Sequence, residues 1–102
     1  MGEFVTVAKK DDIPTGEVRV YKVNGKELAV AHVDGDFFAI DDVCTHDGGP
    51  LGEGYVEDHQ IECPRHGARF DLKTGKAVTL PAVMPVNAYQ VRVEGDDVQV
   101  EV

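Results

Sequence analysis

The sequence is poor in cations, in cysteine and in long apolar runs. It has 10 lysines and arginines against 19 aspartates and glutamates, a formal net charge of −9 at pH 7. That balance excludes nucleic acid and anionic membrane as partners, and it suits steering toward a basic protein surface. Plain solubility accounts for it equally well. No apolar stretch approaches the ~18 residues that a membrane-spanning helix needs. The opening segment MGEFVTVAKK lacks a basic start followed by an apolar core, so no signal peptide is expected and the expected location is cytoplasmic. The same segment fits the loose myristoylation pattern through Gly2 and Thr6, but it alternates like a strand, and the strand reading is preferred. No stretch carries a convincing 3.6-residue period, and there are no repeats or low-complexity segments.

What is present is a two-residue period. The chain has 102 residues and is 42% hydrophobic, which is enough for one globular domain with a modest core. Glu17–Val23, EVRVYKV, alternates and runs into Asn24-Gly25, the strongest short hairpin signal. KELAVAHV leads to Asp34-Gly35, and FFAI follows. Further hairpins are expected at Asp58-His59, at Thr74-Gly75 and at Gly95-Asp96. Turns at about every ten residues indicate an all-β fold, a small antiparallel sandwich or barrel. The least regular parts are DGGPLGEG (Asp47–Gly54) and LPAVMP (Leu80–Pro85).

The only two cysteines each travel with a histidine: Cys44 and His46 in CTHDGGPL, Cys63 and His66 in CPRHGARF, with sixteen residues between His46 and Cys63. Several chemistries use such residues. A disulfide is unusual in the cytoplasm and leaves both histidines unexplained. Burial as small hydrophobes is common for cysteine, but these two sit in glycine-rich loops away from the alternating strands. Zinc takes two Cys and two His, although its usual knuckles pair like with like. Nucleophilic catalysis needs one thiolate and one imidazole, and it does not need the arrangement twice. A [2Fe–2S] cluster with two thiolates on one iron and two imidazoles on the other asks for mixed loops, each giving one ligand to each iron. Glycines let the backbone pass close to such a cluster and aim N–H groups at its sulfurs.

These two boxes resemble the cluster-binding boxes of Rieske [2Fe–2S] proteins. The whole chain is similar to the small ferredoxins of bacterial ring-hydroxylating oxygenase systems, including the C-terminal LPAVMPVNAYQVRVEGDDVQV. The resemblance implies a β base (residues 1–42 and 71–102) with a cluster-binding insertion of two loops (43–70), together one Rieske domain. It implies one Rieske-type [2Fe–2S] cluster per chain, with Cys44 and Cys63 on the inner iron and His46 and His66 on the outer. Respiratory Rieske proteins carry an additional cysteine in each box, joined as a disulfide; here those positions are Gly49 and Arg65. They also place a serine and a tyrosine near the cluster sulfurs, where this chain has Ala68 and Phe70. Hydrogen bonds to sulfur raise the potential, so their absence with a net charge of −9 predicts a low one.

The remaining candidates have bland readings. His32 and His59 are expected to be ordinary surface or satisfied histidines. Pro64 is expected to fix its loop, and Pro50, Leu51, Pro81 and Pro85 to cover the cluster or merely shape the loops. Arg65 and Arg69 are candidates for a partner's acidic patch or for internal pairs with Asp47 or Glu53. Asp71 and Lys73 are expected to be merely solvated. A non-haem oxygenase site would need ligand histidines that the chain does not supply. The expected function is therefore electron transfer and not catalysis. A flavin-dependent ferredoxin reductase and a terminal oxygenase would dock briefly near His46 and His66 on a monomeric carrier. A small subunit of a nitrite reductase, or a role in cluster assembly or redox sensing, is the alternative.

Overall fold

The computed structural model describes residues 2–43, 49–64, 67–79 and 84–102. In chain order its strands are β1 (Phe4–Lys9), β2 (Val18–Val23), β3 (Lys26–Val33), β4 (Asp36–Asp41), β5 (Tyr55–Glu57), β6 (Gln60–Glu62), β7 (Arg69–Asp71), β8 (Ala77–Thr79), β9 (Ala88–Tyr89), β10 (Val91–Glu94) and β11 (Asp97–Glu101). They form three antiparallel sheets ordered β1-β11-β10, β2-β3-β4-β9 and β5-β6-β7-β8. The expected all-β class holds. Among the described residues no helix is long and apolar enough to cross a membrane.

The expected turns set the register. Asn24-Gly25 joins Val23 to its partner Lys26, and Asp34-Gly35 joins Val33 to Asp36. Asn24 and Gly25 have φ of 50° and 82°, the left-handed pair that a two-residue turn demands. Asp58-His59 joins Glu57 to Gln60 with φ of 52° and 60°, without any glycine. The β7–β8 connection is held by Asp71, which is more than solvated. Its Oδ1 accepts the N–H groups of Lys73 (2.8 Å) and Thr74 (3.1 Å), an Asx-type turn. The N-terminal segment pairs as a strand: β1 lies along β11, and Glu3 exchanges backbone hydrogen bonds with Val102 at 3.0 Å.

Strand β3 sits at the centre and is buried along most of its length. Its alternate residues enter two separate cores. Leu28 and Val30 join Ile13, Phe37, Val98 and Val100 on one side. Ala29, Ala31 and Val33 join Ile40, Leu51, Ile61, Phe70 and Leu72 on the other. LAVA therefore reads as a continuous apolar run because both faces of the strand are dry. The small alanines face the layer that carries the second Cys-His box.

The chain returns to this central sheet through β9, which pairs with β4. Asp41 anchors that return: its carboxylate accepts Asn87 Nδ2 (2.9 Å) and Tyr89 Oη (2.6 Å), and its N–H donates to the Asn87 carbonyl (3.0 Å). Burial, then the Asp41 carboxylate, push the Tyr89 hydroxyl up to about 12. The folded protein therefore holds this proton after the unfolded chain has released it near 10.0. Its contribution to stability is whole below pH 10 and falls as pH rises toward about 12. Tyr89→Phe should cost about 1–2 kcal/mol at pH 7. Its deficit against the parent should shrink between pH 10 and 12, measured by urea unfolding across that range. A deficit unchanged across the range would show that the hydroxyl is not so held.

Candidate metal centre

Of the four expected ligands, Cys63 is among the described residues; Cys44, His46 and His66 lie outside them, as do Asp47, Arg65 and Pro81. Cys63 follows β6 directly. Its backbone N–H donates to the Ala68 carbonyl at 2.7 Å, and its carbonyl accepts the Gly67 N–H at 3.1 Å. These two bonds join Cys63 to Gly67 and Ala68 at the end of the β6–β7 stem. Gly67 makes the turn with φ of 75°, where a side chain would be strained. The side chain of Cys63 is 1% exposed and makes no disulfide. It sits in the core with Leu51, Ala68 and Phe70, each fully buried.

The exit of the first box leans on the same stem. Asp42, just before that box, accepts the Gly52 N–H at 2.6 Å. Burial pushes the Asp42 carboxyl up, and the Gly52 N–H opposes this. Two residues later, Gly54 passes so close that a Cβ there would lie 2.0 Å from the Glu62 carbonyl, the residue before Cys63. A third segment closes nearby. Val86 donates its N–H to the Gly75 carbonyl at 2.8 Å and joins the core that holds Cys63. Of the residues expected to cover the site, Leu51 is buried with Cys63, Pro50 is half-buried and Pro85 is exposed. Pro64 is exposed.

The expected bystanders separate cleanly. His32 Nδ1 lies 2.7 Å from the Ile13 carbonyl, and its ring stacks on Phe37 at 4.2 Å. The His59 ring meets Phe38 edge-on at 5.7 Å. Both have the satisfied surroundings expected of them. Arg69 does pair internally; of its two expected partners, Asp47 lies outside the described residues. Arg69 binds Glu62 (Nε–Oε1 3.0 Å) and Glu57 (3.4 Å), and not Glu53. The cross-strand register decides this, because Glu62 lies directly opposite Arg69. Sequence reading missed Asp42 and Val86; the only signal for Asp42 was its place just before the first box.

The surroundings of Cys63 suit a cluster ligand. A free thiol is buried at the end of an apolar core, in a glycine-turned loop whose backbone is closed by hydrogen bonds. A thiolate–iron bond formed there would be protected from water, and two Cys with two His, as the sequence supplies, is the donor set of a mixed-ligand [2Fe–2S] unit. The family model of the Rieske [2Fe-2S] domain matches residues 3–90. The ferredoxin component of the naphthalene 1,2-dioxygenase/salicylate 5-hydroxylase systems of Ralstonia sp is 43% identical over 91 residues, covering 89% of this chain and 88% of that one. The ferredoxin of carbazole 1,9a-dioxygenase from Nocardioides aromaticivorans IC177 superposes with a TM-score of 0.93 at 36% identity, over 96% of each chain. A chain of the complex of reduced oxygenase and oxidized ferredoxin in carbazole 1,9a-dioxygenase superposes with a TM-score of 0.89 at 33% identity, over 96% of this chain and 92% of that one.

The close passage at Gly54 gives a direct test. Gly54→Ala should push the first-box exit away from the Cys63 stem, at a cost of about 1–3 kcal/mol. Urea unfolding reads the stability, and iron content per chain should fall with it. Unchanged stability and iron content would mean that the two loops are not braced at this point.

Proposed function

This chain belongs to the Rieske [2Fe–2S] family, and on that ground we propose that it is a low-potential ferredoxin component of a ring-hydroxylating oxygenase system. It carries single electrons from a flavin-dependent reductase to the terminal oxygenase and is not itself catalytic. The observation that carries this reading is the match along nearly the whole length of both chains to proteins named ferredoxin components. The solved complex of a relative with its oxygenase supports that class of partner. The reductase, the monomeric state and the cytoplasmic location belong to the same proposal.

Cys44 and Cys63 hold one iron and His46 and His66 the other, from loops that form the insertion 43–70 on a base of 1–42 and 71–102. The sheet of that insertion is completed by β8 from the base. When bound, the cluster takes up and gives back one electron. Leu51, Ala68 and Phe70 exclude water beneath Cys63, since all three are fully buried. The histidine edge is the point of contact, and docking there is weak and brief, as redox encounters usually are.

Ala68 and Phe70 also fix the expected potential. Both are buried in the core of Cys63, and neither has a hydroxyl to offer a cluster sulfur. A coulometric titration should take up one electron per chain at a midpoint in the lower part of the family range of about −150 to +300 mV. Ala68→Ser, which supplies a hydroxyl, should move the midpoint upward. A parent midpoint above about +100 mV would contradict the low-potential reading.

A further inference from the structure

Arg69 reaches across three strands of the sheet that carries Cys63. From β7, its Nε donates to Glu62 Oε1 on β6 at 3.0 Å, and a terminal nitrogen lies 2.9 Å from the same oxygen. That terminal nitrogen also lies 3.4 Å from Glu57 Oε1 on β5. Glu62 and Arg69 are cross-strand partners, and the next rung of the ladder is the backbone bond from Cys63 to Ala68. The guanidinium therefore grips both ends of the second box. The side chains of Arg69 and Glu62 are 31% and 32% exposed, against 68% for Glu57, so the Arg69–Glu62 contact is the shielded one. Together the three line a cavity of about 260 Å³ with Tyr55, Val56 and Gln60. Two carboxylates against one guanidinium leave this patch negative, on the strand that leads into Cys63.

Reduction adds negative charge to a cluster, so a nearby cation favours the reduced form and a nearby carboxylate opposes it. Glu62 adjoins Cys63 in sequence, and Arg69 is what offsets it. We propose that Arg69 is a positioning residue for the centre: it holds the stem of the Cys63 loop and counters the Glu62 and Glu57 charges, which keeps the midpoint potential above the value those carboxylates would impose. This rests on the reading that Cys63 ligates a cluster. An arginine suits the role because its planar fork spans two acceptors, which a lysine's point charge does not reproduce.

The test compares midpoints of the parent, Arg69→Gln, Arg69→Lys and Glu57→Gln at low ionic strength, with iron content and urea unfolding measured alongside. Arg69→Gln should lower the midpoint, raising the oxidised-to-reduced ratio at the parent's poise by about threefold or more. Arg69→Lys should restore most of that shift while unfolding at lower urea than the parent. Glu57→Gln should move the midpoint the opposite way. High salt should shrink each shift. A role confined to bracing would change urea unfolding and leave the midpoints together, and that result would overturn the proposal. So would Arg69→Gln and Glu57→Gln moving in the same direction. If Arg69→Gln fails to retain iron, Glu57→Gln decides: a raised midpoint supports the proposal and an unchanged one overturns it. A parent with no reversible one-electron wave would instead remove the cluster reading itself, a result visible before any variant is made.

Discussion

Strand β3 has no wet face over most of its length, and both halves of the molecule are held through it. Leu28 and Val30 seat the sheet of the two chain ends; Ala29, Ala31 and Val33 seat the layer of Cys63, Phe70 and Leu72. The choice of side chains follows from that double duty. Burying a Leu or Val side chain is worth about 1.5–3 kcal/mol, so each face contributes substantially. The alanines on the other face let the small β5–β8 sheet come close. A polar group on either face would have no water to meet and would cost about 1–3 kcal/mol unless it found a partner. The position of the second Cys-His box thus depends on residues far from it in sequence.

On that base, hydrogen bonds and one close backbone approach hold the described ends of the two boxes. Cys63 bonds to Ala68 and Gly67, the Asp42 carboxylate accepts the Gly52 N–H, and Gly54 passes close to the Glu62 carbonyl. Such contacts limit the freedom that ligands must lose on binding a group, the same logic by which surrounding hydrogen bonds orient metal ligands in general. An electron carrier benefits directly. A centre that moves little between its two charge states would need little rearrangement to pass an electron on, and a ligand at buried Cys63 would be kept from water by its apolar surroundings.

Much of the fold was legible in the sequence. Asn24-Gly25, Asp34-Gly35, Asp58-His59 and Gly95-Asp96 each join the strands expected of them, because two-residue hairpins demand special backbone conformations that few residues adopt. The four ligand candidates were named from the sequence because each cysteine travels with a histidine; of them only Cys63 lies among the described residues, buried in the core. What escaped was set by tertiary neighbours. Arg69 was expected to meet a partner's acidic patch or to pair with Asp47 or Glu53, but strand register places it opposite Glu62. Asp71 read as solvated, yet its carboxylate caps a turn, a local role that charge composition hides. The brace from Val86 to Gly75 uses only backbone atoms and leaves no mark in the side-chain pattern.

The central claim is that Cys44, His46, Cys63 and His66 hold one Rieske-type cluster. The most direct measurement is the iron and sulfide content of anaerobically purified protein, with its visible spectrum and the EPR spectrum of the reduced form. The account predicts two irons and two sulfides per chain, a split and red-shifted visible spectrum, and a low average g value. Stoichiometric zinc, or protein that folds to the same stability without any metal, would contradict it and reduce the two boxes to a structural clip.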